Sequence, residues 1–170
     1  MRNPWRSLVG VVLGCVLACA AGAAEPAYRL QGQAAPDFTL KATSGTNFRL
    51  SEYRGEVVLL SFWGSRCGQC GAQLSALSRL VDTYRSAGLA VLAVNVDDNQ
   101  MAAAEFAVAH PVGFPMLLDP DKGVARSYRV DNLPMLLLID RAGTVRHVHR
   151  DYRSGDQNRL VERIRPLLDE

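Results

Sequence analysis

The chain has 170 residues, 48% hydrophobic and 21% charged, enough to bury one domain core and too ordinary in composition for a disordered or coiled-coil protein. Its formal charge of +2 rests on Arg2 and Arg6: taking those two from 19 basic residues leaves 17, equal to the 17 acidic ones. That balance makes no case for a nucleic-acid partner, which would need a basic patch surviving the removal of Arg2 and Arg6.

Residues 1–24 read as an export signal. Arg2 and Arg6 form a positive start, residues 8–24 are uncharged and apolar, and Ala21-Gly22-Ala23-Ala24 offers small residues for cleavage before Glu25. Two other readings stay open. The segment could remain uncleaved as an anchor, although it is short for a full span of about 20 residues. It could also be lipidated at Cys19, because Val16-Leu17-Ala18-Cys19 fits a lipobox, with Val12-Leu13-Gly14-Cys15 a weaker match. Any of the three places the protein outside the cytoplasm, in a bacterial periplasm or cell envelope, with a tether at the N-terminus in two of them. Residues 25–35, small and polar, read as a linker.

Asp37–Leu40 and Asn47–Leu50 alternate around Ser44-Gly45, a hairpin pattern, and residues 51–55 form a turn or short helix. Val57-Val58-Leu59-Leu60-Ser61-Phe62-Trp63 is a continuous apolar run, as in a central strand covered on both faces. After the two cysteines, Leu74, Leu77, Val81 and Tyr84 mark one face of a helix that Gly88 stops. Residues 89–96 form a second buried strand and 99–109 an Ala-rich helix that buries Phe106. Residues 114–118 are extended, ending in Asp119-Pro120-Asp121, and a short helix covers 123–128. Residues 135–139 are a third apolar strand, turned by Asp140-Arg141-Ala142-Gly143 into an antiparallel strand over 144–149. A last helix over 154–168 puts Leu160, Ile164 and Leu167 on one side, and Pro166 should end or kink its final turn. Strands alternating with helices predict an α/β domain with helices on both faces of the sheet.

The mature domain keeps two cysteines, Cys67 and Cys70. A pair this close removes almost no loop entropy, so its use is chemical rather than structural. The run Trp63-Gly64-Ser65-Arg66-Cys67-Gly68-Gln69-Cys70 lies between a strand and a helix. A helix start stabilises an anion by roughly 0.3–2 kcal/mol, so Cys67, placed there, is expected to react as a thiolate. Cys70, one turn on and nearer the core, can resolve a mixed disulfide, and Gly68 is expected to permit the tight turn. Half of a zinc site is the competing reading. It would need His110, His147 or His149 as further ligands, and the last two lie far along the chain. Pro134, after Leu133, opens a buried strand, where its missing N–H falls outside the ladder. In the cis form it would offer the Leu133 backbone to a peptide.

In order along the chain, Ala35-Pro36-Asp37-Phe38-Thr39-Leu40, Phe62-Trp63, Cys67-Gly68-Gln69-Cys70, Val94-Asn95-Val96-Asp97, Phe114-Pro115, Leu118-Asp119-Pro120-Asp121, Leu133-Pro134 and Ile139-Asp140-Arg141-Ala142-Gly143 resemble the thioredoxin superfamily. Within it the chain is similar to exported TlpA/ResA-like disulfide reductases. The resemblance implies a thioredoxin-like fold over 36–170: a central mixed β-sheet flanked by helices, an N-terminal β-hairpin extension and a helix-plus-strand insert near 99–118. It implies a redox-active Cys67–Cys70 disulfide that needs no cofactor, protein disulfide substrates such as those of cytochrome c maturation, and an upstream membrane electron donor. Trp63, Arg66, Gly68, Gln69, Leu133 and Pro134 would support the pair.

Three positions depart from the pattern. Arg66 replaces the usual Trp and would favour the Cys67 thiolate or shape docking. Gln69 replaces the common Pro and alters the redox potential. Ser61 replaces the buried acid of thioredoxin, so proton transfer to Cys70 needs another group or water. A peroxide reductase of the same fold needs Thr and Pro where Gly64 and Leu60 stand, and a copper carrier spaces its cysteines by three residues. Both fit the residues less well.

Overall fold

The computed structural model describes residues 27–170; the segment read as an export signal, with Cys15 and Cys19, lies outside them. Seven strands form one mixed sheet in the order β2-β1-β5-β4-β3-β6-β7. They are β1 (Thr39–Ala42), β2 (Asn47–Arg49), β3 (Val57–Trp63), β4 (Leu89–Asn95), β5 (Met116–Leu118), β6 (Met135–Ile139) and β7 (Val145–Arg150). The helices are α1 (Cys70–Tyr84), α2 (Gln100–Ala109), α3 (Gly123–Ser127) and α4 (Gln157–Leu168). β3, β4 and β5 are parallel, while β6 and β7 run antiparallel to their neighbours and the hairpin β1-β2 joins antiparallel on β5.

All seven residues of β3 are buried because both of its faces are covered. Val57, Leu59 and Trp63 pack with Leu89, Val91, Leu136 and Leu138 against α1 and α4. Val58, Leu60 and Phe62 face the other way, into a second core closed by Leu50, Val124, Ala125 and Tyr128. The side-chain alternation of a strand thus divides one apolar run between two cores.

Several boundaries move for local reasons. The hairpin starts at Thr39 rather than Asp37, because the Asp37 carboxylate is used sideways. It accepts Arg49 Nε at 2.8 Å and the Ser51 N–H at 2.9 Å. Arg49 and that amide hold the Asp37 carboxyl below its ordinary value, against the opposing effect of desolvation. Residues 27–35 depart from the linker expectation. Ala27–Leu30 form a 3-10 turn, Leu30 and Ala35 are buried, and the Gly32 and Ala35 N–H groups donate to Val145 and Gly143 carbonyls. Burying Leu30 and pairing those amides outweighs the freedom of a polar strap. α4 begins at Gln157, after a turn at Ser154-Gly155 (φ 105° at Gly155), and continues through Pro166 to Leu168. Pro166 sits two residues from that end, where its lost N–H removes only one bond.

Asp119 does more than turn the chain. It is 3% exposed, and its two oxygens accept the Val124 and Ala125 N–H groups at 3.3 and 2.7 Å. These are first-turn amides of α3, whose leading residue Lys122 is left-handed (φ 53°) and makes no side-chain cap. Asp119→Ala should cost about 2–3 kcal/mol by stranding two buried donors, and Asp119→Asn less. Urea unfolding midpoints check this; a midpoint unchanged in the alanine variant would contradict it.

Candidate active site

β3 ends at the buried Trp63, inside the sheet, and the chain then turns twice before α1. The Cys67 N–H donates to the Gly64 carbonyl at 3.1 Å, and the Cys70 N–H to the Cys67 carbonyl at 3.2 Å. The α-helical ladder begins only with the Gln73 N–H on the Gln69 carbonyl, so α1 starts at Cys70. This corrects the expectation that Cys67 opens the helix. It sits in the turn immediately before the helix, whose first-turn amides lack an intrahelical acceptor. Cys67 and Cys70 form a disulfide with Cα atoms 5.4 Å apart. Cys67 is half-buried and Cys70 fully buried. Gly68 has no positive φ, and a Cβ there would meet nothing within 4 Å. The turn therefore makes no demand for glycine; its bareness only leaves room beside Cys67.

A groove of about 750 Å³ opens at Cys67, lined by Arg66, Asp97, Asp98, Lys122 and Leu133 among others. Arg66 is exposed at its rim, near enough that its charge acts on Asp98, whose carboxyl is held low chiefly by Lys122. The Leu133-Pro134 bond is cis. Leu133 belongs to this groove and also, with Pro134 and the exposed Gln69, to a second of about 440 Å³ that includes Tyr152 and Arg153. The disulfide turn and the Leu133-Pro134 segment thus share one surface, although 63 to 67 positions of chain separate them.

The buried polar pair between β3 and α1 is neutral. Ser61 Oγ donates to Gln73 Oε1 at 2.8 Å, and both residues are fully buried. Neither ionises in the working range. Trp63 stacks on Phe106 (ring centroids 5.0 Å apart), and Phe106 on His110 (4.0 Å). Phe106 is only half-buried; Ala103 is the residue α2 buries fully. This corrects the reading of 99–109 as a helix that buries Phe106, because the aromatic ring is used as a stacking plate between Trp63 and His110. The Phe106 carbonyl lies 3.0 Å from His110 Nδ1. A carbonyl only accepts, so Nδ1 carries the hydrogen and Nε2 is the acceptor in the neutral ring. That Nε2 abuts Gly71, where a Cβ would fall 2.5 Å away. Gly71→Ala should therefore push the imidazole off Phe106. Overpacking costs about 1–3 kcal/mol, against about 1 kcal/mol gained in helix propensity, so a small net loss is expected. Shifted His110 ring resonances and a slightly lowered unfolding midpoint check this; unmoved resonances would contradict it.

The sequence matches the AhpC/TSA family over residues 31–148. The chain belongs to the AhpC/TSA family. The thiol-disulfide oxidoreductase ResA of Geobacillus kaustophilus is 35% identical over 136 residues, 79% of this chain and 78% of the relative. ResA of Geobacillus thermodenitrificans is 36% identical over 117 residues, 69% of this chain and 67% of the relative. A crystal structure from Chlorobium tepidum, assigned as a thiol:disulfide interchange protein DsbE, superimposes with a TM-score of 0.78 at 35% identity, covering 81% of this chain and 97% of the other. Within the thioredoxin superfamily this AhpC/TSA member is ResA-like, with the expected thioredoxin-like fold, and it is a thiol–disulfide oxidoreductase.

In this family member, sequence reasoning passed over several residues that build the site. Gly64 is buried, and a Cβ there would lie 3.1 Å from both Asp97 Oδ1 and Leu133 Cδ1. Asn95 and Asp97 entered the sequence reading only as part of the family motif and His110 only as a conceivable zinc ligand, while Gln73 and Gly71 carried no signal of their own. The only usable hint was the glycine on either side of the cysteine motif, since glycine where an ordinary residue would do marks a close approach. His147 and His149 lie on β7, and His149 Nε2 lies 3.2 Å from Asp156. Among the described residues no group of three or more His, Cys, Asp or Glu is placed to hold a metal, and no helix is long and apolar enough to cross a membrane.

Proposed function

We propose that this oxidoreductase is exported and reduces disulfides of cell-envelope proteins, with Cys67 as the attacking residue and Cys70 as the resolving one. The observation that carries the reading is the asymmetry of the pair: Cys67 opens on the groove and Cys70 is wholly buried. In the reduced protein the Cys67 thiolate attacks one sulfur of a substrate disulfide, and the other substrate sulfur leaves as a thiolate. Cys70, having lost its proton, then attacks Cys67 and expels the second substrate sulfur. Two electrons pass to the substrate and the Cys67–Cys70 disulfide remains, to be reduced by an upstream membrane donor. Arg66 favours the Cys67 thiolate, Gly68 and Gln69 set the potential, and Leu133 with Pro134 lines the path of the substrate peptide. Trp63 supports the turn from below.

Residues 1–24 carry the export signal, or tether the domain through an uncleaved segment or a lipid on Cys19. Thiols of apocytochromes c fit as products of such a reductase. The test is the equilibrium potential of the dithiol against a glutathione buffer. A reductase is expected near thioredoxin's value of about −270 mV, while a value near −120 mV, that of a strong oxidant, would reverse the direction of flow.

A further inference from the structure

Strand β4 ends at Asn95, whose side chain is buried beside the base of the active-site loop. It forms a closed bracket with Asp97. The Asp97 N–H donates to Asn95 Oδ1 at 3.1 Å, and Asn95 Nδ2 donates to Asp97 Oδ2 at 2.8 Å. The same Oδ2 accepts the Ser65 N–H at 2.8 Å. One residue earlier, the Val96 N–H donates to the Trp63 carbonyl at 3.0 Å. The loop that leads into Cys67 is thus held at two points to the end of β4. Gly64 lies between them, close against Asp97 Oδ1 and Leu133. Asp97 is half-buried and shares the groove wall with Cys67, so its carboxylate serves the loop without being sealed from the reacting surface.

We propose that Asp97 is a positioning residue for Cys67: braced by Asn95, its carboxylate fixes residues 64–66 and so the direction in which the Cys67 sulfur meets a substrate disulfide. Attack on a disulfide runs along the S–S axis, so the approach must be aligned with the groove between Cys67 and Leu133. Asp97 also places a negative charge opposite the effect of Arg66. The charged groups lining this groove are Arg66, Asp97, Asp98, Lys122 and Asp131. Lys122 Nζ lies 2.7 Å from Asp98, and Arg150 pairs with Asp131, so these two acids are already compensated.

The inference rests on Cys67 being the attacking thiol, and its test does not depend on the natural substrate or the redox potential. In the full-length reduced protein, Asp97→Asn and Asp97→Ala are compared with wild type in two measurements. One is the single-turnover rate of exchange with oxidised glutathione at a pH where Cys67 is fully ionised. The other is the pH midpoint of Cys67 alkylation by iodoacetamide. An asparagine oxygen in the place of Oδ2 still accepts both bonds, so Asp97→Asn should exchange within about twofold of wild type while its alkylation midpoint falls, most at low salt. Asp97→Ala loses the clamp, and its exchange rate should fall roughly tenfold or more, because misalignment of reacting atoms has costs of that order. Alkylation of its ionised thiol, whose small reagent is free to align itself without being guided by the groove, should stay near the wild-type rate. Wild-type exchange in Asp97→Ala overturns the proposal. So does an asparagine variant as slow as the alanine one, or an alanine variant that loses exchange and alkylation in equal measure, which would mark general disruption.

Discussion

Cys67→Ala is expected to abolish dithiothreitol-driven reduction of insulin, leaving only the uncatalysed rate, while Cys70→Ala should attack normally and accumulate as a mixed disulfide with its substrate. Cys67 is half-buried on the groove, where an incoming disulfide can reach it, whereas Cys70 is fully buried behind it. On the proposed assignment Cys67 starts the exchange, and Cys70, whose Cα lies 5.4 Å from that of Cys67, finishes it. Insulin turbidity and non-reducing gels with mass spectrometry read the two effects separately. Equal residual turnover in both variants, or mixed disulfides on Cys70 in place of Cys67, would contradict the assignment.

The second large effect is structural. Trp63→Ala should destabilise the protein by about 3–5 kcal/mol, the usual cost of truncating a buried aromatic residue. Trp63 is fully buried and carries the stack with Phe106 and His110. α2 depends on that stack more than the other long helices do on any one contact, because Ala103 is its only fully buried residue and Met101 and Val108 point outward at 71% and 82% exposure. The loss should therefore fall unevenly. Amide exchange over residues 100–109 should speed up more than exchange in α1 or α4, and Trp63→Phe should restore much of it. Since Asn99 and Ala102 line the groove beside Cys67, glutathione exchange should weaken along with α2. Uniform acceleration across all helices would show that the stack has no special hold on α2.

The first link, from residues to elements, was legible where local chemistry is strong. β3, β4 and β6 are continuous β-branched and aliphatic runs, and any sheet that buries both faces needs such runs at its centre. α1 showed itself through Leu74, Leu77 and Val81, all buried as the period requires. α2 begins at a side-chain cap, Asn99 accepting the Met101 and Ala102 amides, and its start was placed within a residue. The cysteine pair was legible because two thiols with two residues between them have few other uses. The linker and the hairpin edge were not, because polar residues such as Gly32 and Asp37 acquire a place only from partners far off in sequence: Val145 for one, Arg49 and Ser51 for the other.

By itself the sequence determined the α/β alternation, the buried strands and the identity of the reactive pair, since each is set by side-chain type and spacing within a few residues of chain. Tertiary structure alone decided which groups surround that pair. The Leu133-Pro134 segment comes to Cys67 because β6 lies beside β3 in the sheet. Asp97 reaches the Ser65 amide because β4 is β3's other neighbour, and Asn95 pairs with Trp63 at its end. His110 reaches Gly71 because α2 folds back over Trp63. A hydrogen bond or ring contact acts over a few ångströms, while the chain distance between its partners can be any length. Only the pairing of strands and the burial of apolar faces fix which of those distances closes.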